Sequence, residues 1–456
     1  MGGVHRGAVT MGKSVPNASC RASARSRVLN RGCRLVSNAP MTVSRRTRAS
    51  RAPLAATSPA PQPVTALAAP RPVVASPDEA AASATRALVL QGGGALGAYQ
   101  AGVYEALFER HKDMDWVAGV SIGAINAALI AGNAPEHRVA RLREFWNLVS
   151  SAPGQMLPGW AGERSWLNQW SAGAAVALGI PGFFEPRMSP ALMMGASAPM
   201  LSYYDTSPLK ATLERLVDFD RINRREMRFS VGAVNVRTGN FVYFDNGTTT
   251  IRPEHIMASG ALPPGFPPVH IDGEDYWDGG IVSNTPLQYV LDEHVRSRRL
   301  LVLQVDLFSA RGAMPRTLGD VAARQKDIQY SSRTRMNTDA LAANVNLQQA
   351  LAALLERLPA HLRREPDVAA LCAHLRSEPI DIVHLIYRHK PYELDSKDYE
   401  FSRITVDEHW ESGARDMAIT LQHPEWLRPT AQAGGVTTYD LSEPDVARVR
   451  HPGTAV

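Results

Sequence analysis

In two places this chain breaks an apolar run at a glycine turn and resumes with a helix pattern. Ala87–Gln91 (ALVLQ) meets Gly92-Gly93-Gly94, after which Val103, Ala106 and Leu107 fall at helical spacing over Ala98–Arg110. Trp116–Val120 meets a second turn at Ser121, followed by the small-residue helix Ile122–Ala131. Short runs that are apolar throughout, rather than alternating, suit strands buried on both faces of a parallel sheet. Parallel neighbours need a long crossover, which the helix patterns supply. Further strands are predicted at Arg228–Val236, Phe241–Asp245, Leu300–Leu307 and Ile380–Tyr387, and helices at Pro208–Asp218 and Pro286–Arg296. Ser207 is the expected N-cap of the first of these helices, with Pro208 at its first position. Arg316–Ala360 reads as a polar helical part appended to the sheet. The fold class is therefore α/β around a mostly parallel sheet.

Composition sets the limits of this reading. With 456 residues, 45% apolar and 20% charged, the chain can bury a large core, and wholesale disorder, a collagen-like repeat and a coiled coil are excluded. It has no stretch of about 18 uninterrupted apolar residues, so no transmembrane helix is expected. Cys20, Cys33 and Cys372 form neither a disulfide framework nor a metal-binding pair. A reduced, cytoplasmic protein is expected. The net charge of +5 belongs to one end: twelve Lys/Arg and no acid precede Asp78, leaving 37 bases against 44 acids in the remainder. Nucleic-acid binding would need bases gathered on a folded face, so no nucleic-acid partner is expected. Residues 1–84, rich in Arg, Ser, Ala and Pro without a single aromatic, read as a disordered tail. An organelle transit peptide is superficially matched; a solvated extension, with Met11 or Met41 as alternative starts, fits as well. Residues 431–456 read as a second tail.

The first glycine cluster satisfies G-x-G-x-x-G through Gly92, Gly94 and Gly97. A dinucleotide site would also need an acidic residue closing the second strand, but that strand ends in Val120-Ser121. Glycines at a helix start do something else well: they present backbone N–H groups to an anion, either a phosphate or a transient oxyanion. Gly119-Val120-Ser121-Ile122-Gly123 is G-x-S-x-G between a strand and a helix, the setting of a strained nucleophile elbow. A serine nucleophile needs a base. His255, His270, His294, His384 and His389 follow Ser121, none in a distinctive loop. Asp278, in Tyr276-Trp277-Asp278-Gly279-Gly280, has two glycines that allow close approach of its carboxylate to another element; alone, it reads as an ordinary turn aspartate.

Taken with Ala258–Val269 (ASGALPPGFPPV), these motifs resemble the patatin-like phospholipase family over Ala87 to about Val305. Gln304–Leu427 is similar to the C-terminal extension of one bacterial branch. The resemblance implies a three-layer α/β/α core and a Ser–Asp dyad, with Ser121 as nucleophile and Asp278 as base. It implies an oxyanion hole from Gly92, Gly93 and Gly94 helped by the N–H of Ile122, with Gly97, Gly119, Gly123, Gly279 and Gly280 supporting the turns. No metal and no cofactor is implied. Many members carry a basic residue where this chain has Leu96, a departure that bears on phosphorylated headgroups rather than on the dyad. A carboxylate near its ordinary pKa of roughly 4 is a weak base at neutral pH, so a dry surrounding is expected.

The organisation expected is a tail at 1–84, a catalytic domain at 85–300 with a lid-like insert at 150–204, an extension at 301–430 completing the sheet and adding helices, and the tail at 431–456. The insert holds Trp160, Trp166, Trp170, Phe183, Phe184 and Met156, Met188, Met193 and Met194. It packs on the core as a side wall, or opens at a lipid interface as an apolar cover. Lipid is the expected substrate, with peripheral membrane contact to which the Arg-rich tail adds attraction. An esterase or thioesterase of small acyl compounds, and a non-catalytic lipid- or nucleotide-binding module, are the alternatives.

Overall fold

The computed structural model describes residues 84–450 apart from 111–112, 153–163, 188–200, 295–297, 332–333, 376–377, 389, 391, 424–425, 427–434 and 442–447. The basic tail lies outside the described residues, as do Trp160, Met156, Met188, Met193 and Met194 of the insert.

The strands are β1 (Thr85–Leu90), β2 (Trp116–Val120), β3 (Glu185–Pro186), β4 (Tyr204–Asp205), β5 (Arg228–Asn235), β6 (Phe241–Asp245), β7 (Val269–Ile271), β8 (Glu274–Asp278), β9 (Leu300–Asp306), β10 (Ile380–Ile386), β11 (Val436–Asp440) and β12 (Arg448–Arg450). Ten of them form one sheet in the order β12-β11-β10-β9-β1-β2-β5-β8-β7, with β6 also paired to β5. From β11 to β5 the neighbours are parallel; β12, β6, β8 and β7 join antiparallel. The central strands β2 and β9 are buried along their whole length, which is why their sequences do not alternate.

Alternate side chains of these strands feed two apolar layers. Leu88, Leu90, Val117, Leu301 and Leu303 enter the larger one, under α1 (Ala98–Glu109), α2 (Ile122–Ala131) and α3 (Pro135–Val149). Ala87, Val89, Trp116, Ala118, Leu300 and Val302 enter the other, which contains Leu287, Val290 and Val345 from helices on the opposite face. The result is a three-layer α/β/α arrangement. The remaining helices used below are α4 (Arg164–Leu178), α5 (Ser207–Leu216), α6 (Pro253–Ser259), α7 (Leu287–Glu293), α8 (Leu318–Tyr330), α9 (Thr334–Glu356) and α10 (Arg403–Leu421).

Three expectations need correction. Residues 431–456 are not merely a tail: β11 extends the parallel sheet on β10, and β12 pairs back onto β11. Helix α5 begins at Ser207, one residue early, so Ser207 is not its N-cap; its N–H is instead held by Asp205 Oδ1 at 2.8 Å. Helix α7 is shorter than Pro286–Arg296, ending at Glu293. The extension is bound into the same body. It supplies β9 and β10 beside β1, and α10 lies on α1 at backbone contact, where a Cβ added at Gly413 would fall 2.0 Å from Tyr99 O and one at Gly102 1.9 Å from Trp410 O.

Strand pairing on β5 positions the site. Val120, the last residue of β2, pairs with Gly232, and Asp278, the last residue of β8, pairs with the next residue, Ala233. Strand β6 occupies Ser230–Val234 from the other edge, so β2 and β8 share one edge and end against each other.

Candidate active site

Ser121 takes the corner between β2 and α2 with φ 56° and ψ −126°, a region that side chains enter rarely and at a cost of about 1–3 kcal/mol. The surroundings enforce it. A Cβ on Gly119 would lie 2.3 Å from Gly123 O, and one on Gly123 2.4 Å from Leu90 O, so only glycines allow the strand and helix to meet so tightly. The Ser121 N–H donates to Ser259 O (3.1 Å) and Ser259 Oγ (3.0 Å), and Ser259 Oγ donates to Gly232 O at 2.6 Å. The Ser121 carbonyl accepts from the N–H groups of Ala124 and Ile125. With its main chain bound on both sides, the residue borders a cavity.

Asp278 borders the same cavity and is 2% exposed. Burial pushes its carboxyl up to about 7, against the opposing pull of hydrogen bonds from the Ser121 side chain and the Gly280 N–H. The latter bond is 2.7 Å long, and the Asp278 N–H donates to Ala261 O at 2.9 Å. Gly279 packs on the Gly232 carbonyl, where a Cβ would sit 2.7 Å away. The expected dry surrounding is thus present, and it places the carboxyl where a general base at neutral pH is efficient.

The glycine loop lies over this pair: a Cβ on Gly92 would come within 2.9 Å of Ser121 Cβ. One expectation about it is corrected. The Gly92 N–H donates to Asn284 O at 3.1 Å and is not open to the cavity. Among the described residues, the N–H groups of Gly93, Gly94 and Ile122 meet no protein acceptor, and all three residues border the cavity. Gly97 lies further on, against Ile122 and Trp146, and Leu96 is buried in the core. A buried polar chain braces the loop: Gln100 Nε2 donates to Gln91 O (2.7 Å), Asn126 Nδ2 to Gln100 Oε1 (2.9 Å) and Gly97 O (2.9 Å), and Trp146 Nε1 to Asn126 Oδ1 (3.1 Å).

The cavity holds about 330 Å³ and is mainly apolar. Phe183, Phe184 and Tyr204 from the insert, Leu262–Phe266 from the proline-rich segment, and Phe308, Tyr330, Tyr399 and Phe401 from the extension form its walls. Of the histidines, His255, His270, His294 and His384 do not border it, and His389 lies outside the described residues. His384 is buried in β10 and its pKa falls to about 4. Among the described residues, no group of three or more His, Cys, Asp or Glu could hold a metal. Sequence reasoning assigned no role to Ser259, Asn284, Tyr330 or Asp398, which hold the main chain around the site through their carbonyls and, for Ser259 and Asn284, through their side chains as well; of the four, only Ser259 lies inside a motif that was singled out, the proline-rich segment.

A family model described as patatin-like phospholipase matches residues 88–291, and a second, described as patatin phospholipase, matches residues 328–433. Together they span more than half of the chain, which belongs to the patatin-like phospholipase family. That membership makes it a lipid acyl hydrolase by class. None of the curated proteins compared with the chain matches it. Among solved structures it is similar to VipD from Legionella pneumophila (17% identity, 73% of this chain and 67% of that one, TM-score 0.30) and to the ExoU–SpcU complex of the Pseudomonas aeruginosa type III secretion system (14% identity, 75% and 77%, TM-score 0.25).

Proposed function

We propose that the protein hydrolyses carboxylic esters of lipids through a dyad of Ser121 and Asp278. The observation that carries this is the buried Asp278 carboxyl, raised to about 7, facing the elbow serine inside an apolar cavity. As Ser121 Oγ attacks the ester carbonyl, Asp278 takes its proton. The oxyanion of the tetrahedral intermediate is received by the N–H groups of Gly93, Gly94 and Ile122. Collapse expels the alcohol, to which Asp278 returns the proton. In the second half, water gives a proton to Asp278 and attacks the acyl-serine, releasing the fatty acid and restoring the hydroxyl. Each oxyanion donor is worth about 3–4 kcal/mol of transition-state stabilisation. The chemistry calls on no cofactor.

The apolar walls favour long acyl chains over small soluble esters. On α4, Val176 borders the cavity while 52% exposed, and the same helix carries Trp166 and Trp170, 56% and 52% exposed, which stack with ring centroids 6.4 Å apart. Exposed tryptophans on the helix that contributes Val176 to the cavity wall support peripheral contact with a lipid surface. No described helix is long and apolar enough to cross a membrane. Fatty-acid release from phospholipid vesicles by the full chain, lost in Ser121→Ala, tests the reading. Turnover confined to short monomeric esters would support the small-ester alternative instead.

A further inference from the structure

The consecutive amides of the glycine loop differ in what they bind. The Gly92 N–H donates to Asn284 O (3.1 Å) and the Ala95 N–H to Asp398 O (2.7 Å), while those of Gly93 and Gly94 between them meet no acceptor among the described residues. The open pair is therefore held by a clamp on either side. One clamp belongs to the turn after Asp278; the other comes from the C-terminal extension.

Both clamps lead to helix α8. The carbonyl of Tyr330, its last residue, accepts from Asn284 Nδ2 (2.9 Å) and from Gln91 Nε2 (3.1 Å). One turn earlier, Lys326 Nζ donates to Asp398 Oδ1 at 2.7 Å and to the carbonyl of Asp395, and lies 5.2 Å from the Tyr399 ring centre. Each side chain of the Lys326–Asp398 pair is 22% exposed, so water and salt screen it less than a surface pair. Gly94 leaves little slack. Its φ is +55°, and a Cβ there would fall 1.9 Å from Asp398 O, so the loop and that carbonyl are in contact. A shift of the Asp398 carbonyl moves the Ala95 and Gly94 amides with it.

We infer that the Lys326–Asp398 pair positions the oxyanion hole, making the extension a working part of the active site. This rests on the proposed role of Gly93 and Gly94 as oxyanion donors. The pair acts through the loop backbone, so its loss weakens the transition state more than the bound substrate, lowering kcat and sparing KM. A donor misplaced by about 1 Å can cost on the order of 100-fold in rate.

The test uses full-length Lys326→Met, Lys326→Arg and Asp398→Asn with a short soluble p-nitrophenyl ester and an alkyl fluorophosphonate. The Met and Asn variants are expected to lose about 10–100-fold in kcat and, in parallel, in the rate of fluorophosphonate labelling. KM, the melting temperature and the acid limb of the pH profile stay at wild-type values, and Lys326→Arg retains most activity. Wild-type labelling rates in both charge-removing variants would overturn the inference, as would a loss confined to KM or one matched by loss of folded protein. Should Lys326→Met not fold, the near-isosteric Asp398→Asn carries the test. A wild type that fluorophosphonate does not label at all is a separate failure, since it removes the hydrolase reading and the clamp together.

Discussion

Replacing Asp278 by Asn should abolish turnover and at the same time stabilise the fold, by an amount that grows with pH. The unfolded carboxyl releases its proton near 3.8, whereas the buried one holds it to about 7. Between these values the unfolded state binds fewer protons than the folded one, so the stability of the wild type falls as pH rises. At 1.36 kcal/mol per pKa unit, the fall from pH 5 to pH 8.5 is on the order of 2–3 kcal/mol. Asn does not titrate, and its Oδ1 can still accept the Gly280 N–H that Asp278 accepts at 2.7 Å. Urea unfolding of both proteins at pH 5 and pH 8.5 measures the effect. The advantage of Asp278→Asn over wild type should be about 2–3 kcal/mol larger at the higher pH. An advantage equal at both values would mean that Asp278 is not a raised, buried carboxyl, and the argument for it as base would fail.

The same carboxyl sets the pH dependence of catalysis. Protonated, it cannot accept the Ser121 proton, so kcat/KM should rise with an apparent pKa of about 7, and a rate already at plateau at pH 5 would contradict this. Gly413→Ala, a change that in an ordinary helix interior gains up to about 1 kcal/mol, should here destabilise by about 1–3 kcal/mol because the added methyl meets Tyr99 O at 2.0 Å; the urea midpoint decides the sign. Asn284→Ala removes the 3.0 Å side-chain donor of the Gly92 carbonyl and one of the two donors of the Tyr330 carbonyl, leaving it only Gln91 Nε2, and should cost about 1–3 kcal/mol in stability with a lowered kcat. A variant of wild-type stability would mean that water replaces the amide.

The parts of the site that could be read in the sequence are those where geometry dictates residue type. The elbow requires small residues at 119 and 123, and the parallel strands require unbroken apolar runs, so both leave marks that a single chain displays. The pairing of Val120 and Asp278 on consecutive residues of β5 leaves none, because strand register is a tertiary property. The clamps are silent for another reason: Asn284 and Asp398 hold Gly92 and Ala95 through main-chain carbonyls, which every residue has. For the same reason the sequence could not tell that the Gly92 amide is occupied. Strand β11, VTTYD, is short and half polar and resembles loop sequence; it is a strand because β10 offers it an edge.

Mapping the covalent adduct of a fluorophosphonate on the full-length protein tests the central claim most directly. A single adduct on the peptide containing Ser121, absent in Ser121→Ala and forming more slowly below pH 7, is the predicted result. An adduct on another residue, or none on a folded wild type, would contradict the Ser121–Asp278 dyad.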